Sequence, residues 1–183
     1  MATIDETAWV APTAVVTGDV TLGPGVRVLH GAVLNGDQGP VALGENVLVM
    51  ENAVLRGREQ HPLTVGHSVL VGPHAHLNGT QVGDEVFIAT GVSMFAGSVA
   101  GARCELRINS VLHVNSVLAP DTVVPIGWIA AGDPARLFSP DQHDALWLVQ
   151  EQLDFPMTMY GVARGTSMRE IMKRQSARYA PGE

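Results

Sequence analysis

The stretch from Val65 to Ser98, VGHSVLVGPHAHLNGTQVGDEVFIATGVSMFAGS, decides the fold, because an aliphatic side chain returns in it about every six positions. Those positions are Val65, Val71, Leu77, Val82, Ile88 and Met94. A small or short residue follows four places on at Val69, Ala75, Val86, Val92 and Ser98; Gln81 fits badly, and the hexad there is one residue short. An amphipathic helix repeats every 3.6 residues and a half-buried strand every 2, so neither produces this pattern. A triangular coil does: one hexad per side, the first residue buried, the fifth small enough for the corner to turn. Each coil then caps the strand edges of the one before it.

Working outward, the same hexads run through Val10, Val16, Leu22, Val28 and Leu34, and resume at Leu43, Val49 and Leu55. Two segments interrupt them, NGDQGPVA from Asn35 to Ala42 and RGREQHPLT from Arg56 to Thr64, and both read as loops leaving the same corner. Beyond Val99 the register reads as slipping by one residue through AGARCE before recovering at Leu106, Leu112, Leu118 and Val124. The expected fold is all-β, a left-handed parallel β-helix of about six coils with C-terminal α-helices. Residues 1–138 form the coil, and residues 139–183 a helical tail packing on the coil or on a neighbouring subunit. In that tail Ser139 and Pro140 read as the start of one helix, ended by Pro156. Ser167 with Glu170 reads as the capping box of another, with Met168, Ile171 and Met172 as its apolar side.

The bulk numbers exclude several function classes. A net charge of −7 over 183 residues argues against general binding to nucleic acid or to an anionic membrane, both of which need a basic surface. The one cysteine, Cys104, excludes an internal disulfide framework and fits a reducing compartment. Neither a leader nor a run of about 20 apolar residues is seen, so a soluble, cytoplasmic protein is expected.

Stacking hexads of the same corner, with coils about 4.8 Å apart, places Leu34, Leu55, Leu77, Met94 and Leu112 in one inward column. The residues just after them then point outward together: Asn35, Arg56, Asn78, Phe95 and His113. His76 lies on the same outer face. In the neighbouring column, built on Val28, Val49, Val71, Ile88 and Leu106, the residues two places on are His30, Glu51, Pro73, Thr90 and Ile108.

From Val28 to Arg136 the chain resembles the γ-class carbonic anhydrases, left-handed β-helix trimers. AVLNGD is similar to that family's AVLRGD, VMENAVLR to IQDGAVLH, VGPHAHLNG to IGHGAVLHG, and GDPAR to its GxPAK exit. The resemblance implies a homotrimer. In the family three histidines hold a catalytic Zn²⁺ between subunits; the matching positions here are Arg56, Pro73 and Asn78. Proline offers no donor, a guanidinium cannot bind a cation, and an amide is a poor ligand, so no metal, no cofactor and no zinc-based activity are expected. Asp37 and Glu51 keep acidic character where the family is acidic.

A fixed cation at Arg56 attracts an anion, and a small anionic ligand is the expected partner. The competing reading is a salt bridge across subunits to Asp37 or Glu51. The candidate binding set is Asn35, Asp37, Glu51, Arg56, His74 and Asn78, with His76 and His113 as candidate general bases. His74 and His76 also invite a relocated metal site, against the plainer reading of hydrogen-bonded interface histidines. Three functions stay open: a zinc-free cleft that binds or transforms a small anionic metabolite, a hexapeptide-repeat acyl-CoA-dependent acyltransferase, and a non-catalytic trimeric assembly subunit. Catalysis itself is left undecided.

Overall fold

The computed structural model describes residues 2–179. Within them the chain climbs as a three-sided coil, and the inward columns stand as the hexads require. Leu34, Leu55, Leu77, Met94 and Leu112 are successive register partners, as are Val28, Val49, Val71, Ile88 and Leu106. Every one of these ten side chains is fully buried. Pairing between coils is parallel throughout; Arg136–Phe138 alone turns back, antiparallel to Ile129–Ala131. One face is a sheet of 7 strands running from Trp9–Val10 to Val123–Val124, one more rung than six complete hexad coils supply.

The corners explain the hand of the turns. Asn46, Asn52, Ser68, His74, Glu85, Arg103, Asn109, Asn115 and Asp121 all take the left-handed backbone conformation, φ 52–63°. Asn and Asp tolerate it best, because their short side chains bond locally. At the corner above Asn52 the residue is Gly31, and a Cβ there would lie 2.2 Å from the Asn52 side-chain oxygen.

Four expectations are corrected. The segment Asn35–Ala42 is no loop: it lies inside one strand, Val33–Leu43, whose two ends pair with Val15–Leu22. These two strands run through a corner, where the register shifts between Gly18 and Val20 and Asp37–Pro40 bulge out unpaired with Val15–Leu22, and fuse the remaining two faces into a single 13-stranded sheet. The register does not slip at AGARCE: Ala100 takes the inward position, six after Met94 and six before Leu106, with Cys104 in the small position, both 1% exposed. Small side chains there had hidden an unbroken repeat. Where the hexad at Gln81 is short, Thr80 fills the corner instead, its hydroxyl donating to Ser98 O at 2.9 Å and lying 2.8 Å from Ser98 Oγ.

The fourth concerns the tail. Helix α1 is His143–Gln150; it begins past Ser139, which turns back to the Gln142 side chain without capping the helix. Pro156 does not end the helical run but sits in the first turn of a second short helix, α2, Phe155–Tyr160. The break comes earlier, at Asp154, which adopts a left-handed conformation. Ser167 does cap α3, Met168–Arg178, accepting from the Glu170 N–H at 3.3 Å. Of that helix's apolar side only Ile171 is buried; Met168 and Met172 are 64% and 52% exposed.

The tail folds back onto its own coil. Phe138 and Leu146 pack with Ala131, while Met159, Leu153 and Phe155 close over Ala96, Val114 and Phe95. Asn115 fastens this lid, its amide donating to Leu153 O at 3.2 Å and to Thr158 Oγ1 at 2.8 Å.

Candidate functional site

The outward residues of the Leu34–Leu112 column form a ladder, with Asn35 and Asn78 each the register partner of Arg56 on adjacent coils. At one end the ladder is tied off: Asn35 Nδ2 donates to Asp37 Oδ2 at 2.8 Å, and Thr17 Oγ1 donates to the same oxygen at 3.1 Å. Asp37 is therefore engaged with amide and hydroxyl rather than with the guanidinium. Among the described residues no carboxylate lies within 4.0 Å of Arg56.

Arg56 and Asn78 are two adjacent unfinished rungs. Arg56 Nε and Asn78 Oδ1 are both buried without a hydrogen-bond partner. The loop after Arg56 covers Asn78 by folding over Gly79, where an added Cβ would lie 2.8 Å from His61 O. A buried polar atom without a partner costs about 1–3 kcal/mol, so a fold that keeps two on one patch leaves that patch short of a donor and an acceptor.

Beside them rings pack in sequence. His76 meets Phe95 edge-on, centroids 6.4 Å apart, and Phe95 meets His113 at 6.4 Å. Phe155, brought by the tail, packs on both Phe95 and His113 at 5.8 Å. Phe95 thus stands between the two candidate bases, which do not act as a pair. Burial lowers the His76 pKa below the ordinary imidazole range, and the nearby Arg56 charge adds to it. Burial also lowers that of His113, whose Nδ1 has no partner. Both are neutral at pH 7.

A pH test follows from the sign of these shifts. Above about pH 6.5 both imidazoles are neutral whether the chain is folded or not. Below it the unfolded chain takes up protons that the folded one refuses, so stability present at neutral pH is lost as acid approaches the folded pKa values. The melting temperature should fall from about pH 6.5 downward, and His113→Phe should flatten that fall. An unchanged acid limb in His113→Phe would show that this ring takes up protons in the folded chain as readily as in the unfolded one.

Glu51 and His74 stand elsewhere. They occupy the preceding corner on successive coils, the His74 N–H donating to Glu51 O at 3.1 Å. Glu51 lies before the left-handed turn at Asn52 and Arg56 at the end of the strand that follows it, Val54–Arg56, so a single chain sets them on different sides of the coil. Among the described residues of one chain no group of three His, Cys, Asp or Glu side chains is placed to hold a metal ion. Arg56 and Asn78, as the donors actually present on the ladder, do not fit zinc: one is a fixed cation and the other a neutral amide.

Two features escaped sequence reasoning. A groove of about 600 Å³ runs along the 7-stranded face, lined by Met50, Pro73, Phe87, Ala89, Ile108 and Ile126 among others. Phe87, Ile108 and Ile126 had a signal, being apolar at outward positions, and are 44–62% exposed. Phe155 had none, because the tail reaches the coil by contacts unrelated to the repeat.

No family model matches the chain. In sequence it is 31% identical over 139 residues to the mitochondrial gamma carbonic anhydrase 1 of Arabidopsis thaliana, covering 73% of this chain and 48% of that protein. It is 26% identical over 134 residues to a carbonic anhydrase of Geobacillus kaustophilus, covering 73% and 70%. The chain spans about half the length of the first of these relatives. Among solved structures, a hexapeptide transferase family protein from Anaplasma phagocytophilum shares the fold with a TM-score of 0.54 at 22% identity, over 96% of this chain and 92% of that one. Among the described residues, no helix is long and apolar enough to cross a membrane.

Proposed function

We propose that this left-handed, hexapeptide-repeat β-solenoid, a homologue of the γ-carbonic anhydrases, forms a homotrimer. In our reading it binds a small carboxylate-bearing metabolite in a cleft between subunits, without zinc. The observation that carries the proposal is the unfinished pair on the ladder: a guanidinium with no carboxylate within 4.0 Å among the described residues and a buried Nε without a partner, beside an amide oxygen in the same condition. A carboxylate supplies acceptors for the first; a hydroxyl or protonated amine on the same ligand supplies a donor for the second.

The apolar groove supports the subunit arrangement. Exposed Phe87, Ile108 and Ile126 form the kind of surface that soluble chains cover, and a second copy resting that corner on the ladder would bring Pro73 and Glu51 toward Arg56. The single buried thiol suits a reducing compartment such as the cytoplasm.

Calorimetry with acetate, malonate and benzoate tests the site. At least one should bind, and Arg56→Ala should weaken it at least tenfold, about 1.4 kcal/mol, with Arg56→Lys intermediate because it keeps charge but not the bidentate fork. Equal affinity in wild type and Arg56→Ala would remove the proposal, and so would one molar equivalent of tightly held zinc per chain. A monomer by light scattering at micromolar concentration would remove the cleft.

The acyltransferase reading has one observation in its favour. His76, partly buried and kept neutral, is in the form a general base needs at pH 7. Binding of acetyl-CoA, lost in His76→Ala, would move the function to that class; no heat with acetyl-CoA retires it.

A further inference from the structure

The chain's arginines, ten of its 11 basic residues, sort by partner. Arg103, Arg107 and Arg174 hold carboxylates at 2.7, 2.9 and 3.0 Å. Arg27 donates to the carbonyls of Thr7 and Val26. Arg136 and Arg164 lie over the rings of Phe138 and Trp147. Arg58 and Arg178, 120 apart in sequence, meet in one cleft, and among the described residues neither holds a carboxylate.

That cleft, about 130 Å³, lies between the loop after Arg56, the end of α2 and the last turn of α3. Arg58 and Arg178 line it with Glu59, His61 and Tyr160. Arg58 is fixed by donating Nη2 to Met159 O, which leaves its other donors free to face a ligand. Among the described residues no carboxylate is within 4.0 Å of Arg58 or Arg178, Glu59 included. Burial, then repulsion from Arg178 and Arg56, lowers the Arg58 pKa, and burial with the Arg58 charge lowers that of His61. In a chain of net charge −7, two like charges share a partly desolvated cleft, and among the described residues no carboxylate, Glu59 included, pairs with either. Such an arrangement is strained without an anion and relieved by one.

The geometry points to a second anion site in this cleft that takes a phosphate group. The donors come from separate elements, a loop and a helix end, with a phenol hydroxyl and an imidazole beside them. A tetrahedral dianion accepts from several sides at once, whereas a planar carboxylate is satisfied by one fork. None of Asn35, Arg56, Asn78 or His76 lines the cleft, so the site is distinct from the one proposed above. The phosphate is either free or carried on a small metabolite.

Calorimetry of the full chain at constant ionic strength, with inorganic phosphate and with glycerol 3-phosphate, tests this. Both should bind; the ester tighter by fivefold or more identifies a phosphomonoester, equal affinities identify free phosphate. Arg178→Ala, at an exposed helix end, should weaken either by at least tenfold while Arg56→Ala changes it less than twofold. Arg58→Lys, which keeps the bond to Met159 O within reach, gives a second reading, with an expected loss of several-fold. No heat with either probe, or full affinity in Arg178→Ala, overturns the site. Loss in Arg56→Ala with none in Arg178→Ala places the anion on the ladder, overturning this inference and leaving the first proposal standing.

Discussion

Leu77→Ala is expected to destabilise the folded chain by about 3 kcal/mol, the largest loss from any single truncation considered. Leu77 is 0% exposed and is stacked between Leu55 on the coil before it and Met94 on the coil after. Two hydrogen-bonded neighbours hold the backbone in place, so the walls cannot close on the space left behind, and the cavity cost adds in full to the lost transfer energy. For a chain of this size the melting temperature should drop by about 10 °C. Leu148→Ala, at a position 62% exposed, should stay within about 0.5 kcal/mol of wild type. The comparison is made by denaturant unfolding at one protein concentration, because an oligomer's stability depends on it. Equal losses at Leu77 and Leu148 would contradict a continuous inward column.

Histidine installed at Arg56, Pro73 and Asn78 together should turn an anion site into a zinc site. Arg56 and Asn78 are register partners, so Arg56→His with Asn78→His sets two imidazoles on one face of one chain, enough for weak chelation. Pro73 lies at the corner, too far along its own coil to join them, and reaches the pair only from a second copy. The triple variant should therefore hold zinc on the order of 100-fold more tightly than the double, measured by competition with a chelator. It should also lose the binding of small carboxylates. Identical zinc affinity in the double and triple variants would show that the corner of one subunit does not face the ladder of another.

How much of this was legible depended on what each residue does. The inward columns could be read because burial demands an aliphatic side chain every sixth residue, and register then fixed the outward ladder with Asn35, Arg56, Asn78, Phe95 and His113 in it. The same rule misled where burial was achieved by small side chains: Ala100 and Cys104 fill inward and corner positions without looking like core. It misled again at NGDQGPVA, whose glycines and proline read as a loop. Gly36 there packs on the backbone of Asp19, where a Cβ would come within 2.2 Å of its carbonyl oxygen, so glycine permits close pairing of two strands through a corner. The second anion cleft could not be read at all. Arg178 is an ordinary charged residue at a helix end until the tail folds back, and nothing in its local sequence says that Arg58 waits at that place.

The hydroxyl column inside the coil has a consequence for which structure forms. Thr80, Ser98 and Ser116 follow one another at spacings of 18 residues and are each 0% exposed; Thr80 bonds to Ser98, and Ser116 Oγ accepts from Gly132 N at 3.0 Å. A solenoid of interchangeable valines and leucines invites mispairing, since sliding one coil past the next returns aliphatic to aliphatic at almost no cost. Sliding this column instead sets a hydroxyl against hydrocarbon, a penalty of about 1–3 kcal/mol per orphaned group. The column works as an address written on otherwise identical floors: it adds little to how stable the stack is, and much to there being one way to assemble it.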